Sequence, residues 1–441
     1  MELHLHSAAQ LRQLLAKGEI CCEELTAHYL GRIARFGGKG ALNAIACLDP
    51  NAMEQARAMD RAGDDGTKPL WGLPVLVKDN IDVEGLPTTA GSFALAGNIA
   101  KKDAPIVANL RKNGAIILGK TNMTEFANYP TKGMPNGFSS LGGQVVHAYD
   151  SACDPLGSSS GSGVAMSAGL CALAVGTDTS FSVIACATAN GVTGLKPPAG
   201  TLSAEGIVPI AHTLDSAGPM TRTFEDALML LSAMQDAPLP HIVPAEVSAL
   251  RIAVNTSRQE NVSGEQTECC RQLFDRLKAA GAQFGEVFEP PVPAMRDIMR
   301  CEFREDLEEY LEKADCSVRT LSQIVRMYRE NPEQMPYGIS LLEEALACST
   351  GDEAYASAMR ARAEMQQEVQ KLLSPYDAVV MTGPTNIMHF LGLPSVALKM
   401  CKREQDSAPR GLILYGADEA RLYCAALAIE KLCESVPPPA L

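Results

Sequence analysis

Between Cys153 and Pro197 the chain reads CDPLGSSSGSGVAMSAGLCALAVGTDTSFSVIACATANGVTGLKP, with Asp178 the only charge between Asp154 and Lys196. So little charge over such a length predicts burial. The stretch nevertheless keeps hydroxyls at Ser158, Ser159, Ser160, Ser162, Thr177, Thr179, Ser180 and Ser182. A buried hydroxyl without a partner costs about 1 to 3 kcal/mol, so each of these needs a partner or a chemical task. The task open to a serine is nucleophilic attack. A second candidate stands upstream in GLPVLVKDNIDV, where a β-branched run ends in Lys78, Asp79 and Asn80. A lysine closing a buried strand is either a structural residue, snorkelling or paired with Asp79, or a base.

Two local patterns compete for these residues. Gly157 to Gly161, GSSSG, satisfies the nucleophile-elbow pattern G-x-S-x-G with Ser159 as nucleophile, but that elbow needs a buried strand just before it, and HAYDSACDPL is none. Its histidine would have to be His212, His241 or His389, and none of them stands in a distinctive context. Gly114 to Thr121, GAIILGKT, formally matches a phosphate-binding loop. There AIIL is itself the strand, whereas a true loop of this kind follows its strand, so this match is rejected. A flexible Gly-Ser connector is also set aside, because thirty residues of uncharged small-residue core follow it.

The elements that must position these residues follow from periodicity. Ser7 to Gly18 and Glu23 to Phe36 read as two surface helices, the first capped by Ser7 and ended by Gly18, and Asn51 to Arg61 as a third. Strands are expected at the Lys78 run, at Ala115 to Leu118 and at about Leu173 to Gly176; helices at Ala104 to Asn113, Asn122 to Tyr129, about Gly163 to Ala172, from Thr223 onward and at Gly264 to Gly281. PTKGMPNGFSSLGGQVV reads as a long irregular loop. RIAVN from Arg251, YDAVVM and GLPSVALKM read as strands, PRGLILYGADEARLYCAALAIEKLC ends in a helix, and residues 290 to 375 are mostly helical and uninformative about chemistry.

The net charge of −14, with no basic run longer than Lys101-Lys102, argues against nucleic-acid and anionic-membrane partners. Fourteen cysteines without C-x-x-C spacing do not resemble a disulfide framework, and a reduced, cytoplasmic setting is expected. No signal-peptide core and no apolar run of spanning length occurs.

GSSSGSG, GTDTSFS, GLKP and GLPVLVKDNIDV together strongly resemble the amidase signature family. The likeness extends to LNAIACLDPNAMEQARAMD, TAGS, GKTNMTEFA, GLPSVAL and PRGLILYGADEARL. It covers nearly the whole chain and is densest over 72–222; GMPNGFSSLGGQ, the triple serine and GIVPIAHTLDSAGPM look most like the peptide-amidase-like branch. The resemblance implies an α/β fold: one domain over residues 1–441, with a large mixed central sheet flanked by helices on both faces. It also implies a Ser-cisSer-Lys triad, in which Lys78 is the base, Ser158 the bridging serine after a cis peptide bond, and Ser182 the nucleophile. The amides of Thr179, Ser180, Phe181 and Ser182 then correspond to the oxyanion hole. Met134, Asn136 and Phe138 are expected in the substrate wall with Phe181.

The implied function is hydrolysis of a carboxamide or peptide-amide C–N bond through an acyl-enzyme. The substrate would be a small-molecule or short peptide amide, with no metal or organic cofactor; nothing in the sequence argues for a homo-oligomer. The chain departs from the family where two glycines usually precede the nucleophile, here Ser180 and Phe181, and where an arginine and a proline usually follow it, here Ile184 and Cys186. That departure leaves a degenerate member, or an amidotransferase-subunit-like protein working with a partner, as the alternative.

Overall fold

The computed structural model describes residues 2–237, 239–257, 264–381, 385–402, 405 and 407–441. The N-terminal third begins with α1 (Ala8–Ala16), capped reciprocally by Ser7 and Gln10, and α2 (Cys22–Arg32), followed by β1 (Ile45–Leu48) and α3 (Ala52–Ala62). Then come β2 (Pro74–Lys78), α4 (Pro105–Lys112), β3 (Ile116–Thr121) and a two-stranded hairpin, β4 (Phe138–Ser139) with β5 (Gly143–Gln144). The middle third holds α5 (Ser160–Ser167), β6 (Leu173–Asp178), α6 (Ile184–Asn190), β7 (Thr193–Lys196), β8 (Ser216–Thr221), α7 (Phe224–Met234) and β9 (Arg251–Asn255). The last part comprises α8 (Gly264–Ala279), β10 (Gln283–Val287), the helices α9 (Met295–Lys313), α10 (Leu321–Glu330), α11 (Ser340–Leu346) and α12 (Glu353–Leu373), then β11 (Ala378–Met381), α13 (Ile387–Phe390), β12 (Ser395–Cys401), β13 (Arg410–Tyr415) and α14 (Glu419–Glu430).

Eleven strands form one mixed sheet in the order β1-β3-β2-β6-β8-β7-β12-β13-β11-β9-β10. β2 runs parallel to both β3 and β6, and β9 parallel to β10 and β11, while the strands between are antiparallel. Every residue of β2, β3 and β6 is buried, as the unbroken apolar runs PVLV, IIL and LAV require for parallel strands covered on both faces. Against the sheet α5 packs with α6, and α7 packs with both α4 and α14. Among the described residues no helix is long and apolar enough to cross a membrane.

Most predicted elements form close to their expected bounds, with two corrections. Asn122 to Tyr129 is not a helix. Only a single turn exists at Glu125–Asn128, and Phe126, Ala127 and Asn128 have φ of 40°, 54° and 75°. Its backbone is used for tertiary bonding instead: the Thr124 amide donates to Ser158 O, and the Phe126 amide to Ala90 O. The cysteines hold one bridge that their spacing does not announce, Cys269 of α8 to Cys401 at the end of β12, 132 residues apart.

Candidate active site

β2, third from one edge of the sheet and flanked by β3 and β6, ends in Lys78, which is fully buried. Lys78 Nζ lies 2.8 Å from Ser158 Oγ, 3.0 Å from Ser159 Oγ, 2.8 Å from Thr177 Oγ1 and 3.3 Å from Thr177 O. All of these are neutral oxygens. Burial, only partly opposed by the Cys186 thiol, Asp178 and Asp215, pulls the ammonium pKa down to about 7, so the amine is available as a base near neutrality. Asp79, the neighbouring acid, faces away as strand alternation requires. Its carboxylate accepts from Thr89 and the Gly91 amide and stands 3.9 Å from Lys120. Lys120, which the phosphate-loop pattern would have placed on a nucleotide, is buried in β3 and donates to Pro87 O.

The serine-glycine run brings its hydroxyls to this lysine by close approach of backbone. A Cβ at Gly161 would stand 2.2 Å from Asn122 O, and one at Gly176 would stand 2.7 Å from Ser159 Oγ, so neither position admits a side chain without displacement. The Gly157–Ser158 peptide is cis. Ser159 is committed to structure: its Oγ donates to Thr177 O while accepting from Lys78 and the Thr177 amide. Ser160 donates to Leu156 O and Ser162 to Val175 O; Thr179 donates to Asp215, and Ser180 to Asn386.

Ser182 is the exception in this set. Its side chain makes no hydrogen bond among the described residues, although its carbonyl accepts the Ser159 amide at 3.2 Å, which sets the two serine segments side by side. The amides of Thr179, Ser180 and Ser182 likewise donate to no acceptor among the described residues. The turn therefore carries a hydroxyl and three N–H groups without partners among the described residues.

Phe181 behaves differently. Its φ is 67°, in the left-handed region, and its amide donates to His389 Nε2 at 3.2 Å while its ring meets the His389 ring edge-on at a centroid distance of 4.4 Å. Behind the turn, Asp178 accepts the Val183 and Ile184 amides and so caps α6, and His389 Nδ1 stands 3.2 Å from its other oxygen, off the line of a hydrogen bond. Burial opposes the Asp178 charge, but His389, Lys196 and the Val183 amide hold the carboxyl down to about 2. Burial lowers the His389 pKa, which keeps the ring neutral.

A cavity of about 750 Å³ is lined by Thr177 and Thr179 together with Asn80, Val208, Asp215 and Tyr310 and rimmed by both acids and lysines; Lys78, Ser158 and Ser182 are not among its lining residues. Met134, Asn136 and Phe138 lie outside its lining. Met134 is buried and the Phe138 ring meets Tyr337, whereas Asn136 sits 2.9 Å from where a Gly157 Cβ would be, against the peptide that precedes Ser158. Sequence reasoning missed Thr177 as a lysine partner, and missed Asn386 and His389. Asp178, the lone charge in the block, was the signal for the buried pair behind the turn.

The Amidase family model matches residues 24–412. A glutamyl-tRNA(Gln) amidotransferase subunit of Nitratidesulfovibrio vulgaris (strain DP4) is 36% identical over 308 residues, 66% of this chain and 62% of that protein. The indoleacetamide hydrolase of Pseudomonas savastanoi is 37% identical over 281 residues, 63% of this chain and 58% of the hydrolase. The chain thus spans about three fifths of the length of these two relatives. The native peptide amidase from Stenotrophomonas maltophilia superposes with a TM-score of 0.91 at 30% identity, over 99% of this chain and 98% of that one.

Proposed function

The chain belongs to the amidase family, and we propose that it hydrolyses the C–N bond of a carboxamide or short peptide amide through Lys78, Ser158 and Ser182. The observation that carries this reading is the contrast among the buried hydroxyls: the others have protein partners, while Ser182 Oγ is uncommitted beside three free amides.

In this reading Ser182 Oγ, which makes no hydrogen bond to Ser158 in this structure, turns to Ser158 when substrate binds; neutral Lys78 takes a proton from Ser158 as Ser158 takes the proton of Ser182, and Ser182 Oγ attacks the amide carbonyl. The negative charge on the former carbonyl oxygen is received by the amides of Thr179, Ser180 and Ser182, where each donor is worth about 10² to 10³ in rate. Collapse of the tetrahedral species breaks the C–N bond, and the proton returns through Ser158 to the leaving nitrogen, which departs as ammonia or an amine. Water then attacks the acyl-enzyme by the same relay, restoring Ser182 and releasing the acid. The cavity beside Thr177 and Thr179 has room for the acyl or peptide part of such a substrate.

Ammonia release from a panel of C-terminally amidated dipeptides and simple carboxamides tests this. Ser182→Ala and Lys78→Ala should each lower the rate by at least about 10³. Turnover that survives both substitutions would contradict the assignment.

A further inference from the structure

Phe181 occupies a backbone conformation that L side chains rarely adopt, with φ of 67°, in the middle of the turn whose amides face the reacting carbonyl in the proposed reaction. A glycine would hold that conformation without steric cost; a phenylalanine needs it imposed. One turn of helix imposes it. Asn386, which precedes α13, accepts from Ser180 Oγ at 3.2 Å, and His389 within α13 accepts the Phe181 amide at 3.2 Å and packs against the Phe181 ring. Ser180 and Phe181 are thus each met by one residue of the same short segment.

The contact also fixes the state of His389. An amide N–H can only donate, so Nε2 carries the lone pair and the ring proton of the neutral form is on Nδ1, facing the fully buried Asp178 carboxylate. Asp178 is anchored in turn by the Val183 and Ile184 amides just beyond the nucleophile. The turn is therefore held on both sides of Ser182, by His389 through the Phe181 amide and by Asp178 through the Val183 and Ile184 amides, with the His389 ring and the Asp178 carboxylate 3.2 Å apart but not hydrogen-bonded. The Phe181 N–H is consumed in this way, which leaves the amides of Thr179, Ser180 and Ser182 directed elsewhere.

Resting on the amidase reading, we infer that His389 is a positioning residue for the reaction: by accepting the Phe181 amide it holds the oxyanion turn in the left-handed form that Phe181 would not keep unaided. It touches no reacting atom, and its effect is on the alignment of the free amides.

The test is the second-order rate at which a fluorophosphonate modifies Ser182, a reaction that places a developing oxyanion in the same hole and needs no knowledge of the natural substrate. His389→Ala should slow labelling at least roughly tenfold, a fraction of what loss of a whole donor costs. His389→Gln, whose side-chain carbonyl can take the place of Nε2 as acceptor, should stay within about threefold of wild type, and His389→Asn, too short to reach the amide, should resemble His389→Ala. A merely structural role would not produce that ordering. Phe181→Gly should remove the dependence, so that Phe181→Gly/His389→Ala labels within about threefold of Phe181→Gly alone. Equal rates for His389→Ala and wild type, a His389→Gln variant as slow as His389→Ala, or a double variant still about tenfold slower than Phe181→Gly would each overturn the inference while leaving the amidase reading intact. Wild-type Ser182 that takes no label in folded protein would overturn that reading, and the inference with it.

Discussion

At the scale of single residues, function turns on which hydroxyl is free and which amine is neutral. As the proposed base Lys78 would act only when deprotonated, and burial lowers its pKa to about 7. The expected kcat/KM on an amide substrate therefore falls as pH drops below about 7 and levels off above it, and a profile flat from about pH 5 to 8 would argue against Lys78 as base. The three consecutive serines separate by role. Ser158→Ala should abolish turnover. Ser159→Ala leaves the Thr177 amide without its partner and Thr177 O with Lys78 but not Ser159, so it should lower stability by about 1 to 3 kcal/mol, read by denaturant unfolding, yet still permit modification of Ser182. Lys78, Ser158 and Ser182 could be proposed from the sequence because the family pattern fixes them locally: a lysine closing an apolar strand, and two serines separated by a set spacing in glycine-rich turns. His389 and Asn386 were hidden. They lie about two hundred positions from the turn they meet, and a solitary histidine in TNIMHFLG carries no spacing that announces a partner.

Among the elements, the strands were legible because burial on both faces demands continuous apolar runs, and α1 and α7 because Ser7 and Thr223 cap them as their sequences suggest. The segment 122–129 misled because Met123 and Phe126 repeat at helical spacing and are both buried, yet the chain there turns through left-handed residues. What decides it is tertiary and invisible locally. Glu125 is buried and accepts from the Ser140 amide and hydroxyl and from Tyr328 of α10. Burial, partly offset by the Ser140 and Ser92 contacts, raises its pKa to about 8. The folded chain thus keeps a proton on Glu125 that the unfolded chain loses near about pH 4.3. Between those values the folded state binds more protons, so stability falls as pH rises toward about 8 and levels off beyond it. Glu125→Gln, which keeps the neutral shape, should flatten this decline: the thermal midpoint of the wild type should drop relative to the variant between about pH 6 and pH 9. A parallel fall in both would contradict a protonated Glu125.

For the molecule as a whole, the eleven-stranded sheet has β2 and β6 side by side, which sets Lys78 next to Thr177, and the segment leading into α5 brings Ser158 to the same point. That order is not legible in strand patterns, since β7, β8, β12 and β13 are antiparallel neighbours drawn from both halves of the chain; the family resemblance implied only a large mixed central sheet. The same resemblance extends to amidotransferase subunits as well as hydrolases, and the two roles separate at this scale. A self-sufficient hydrolase releases ammonia from an amide with no other protein present. A subunit that works with a partner would copurify with it and respond to glutamine. We expect the lone chain to release ammonia and its rate to be indifferent to added glutamine.

Everything proposed for the site depends on Ser182 being the nucleophile, activated by Lys78 through Ser158. The decisive experiment is to react the folded protein with a fluorophosphonate and locate the adduct by peptide mass spectrometry, with Lys78→Ala treated in parallel. A single adduct on Ser182 that disappears in the lysine variant is expected. An adduct on Ser159, or one on Ser182 that forms equally fast without Lys78, would show the assignment to be wrong.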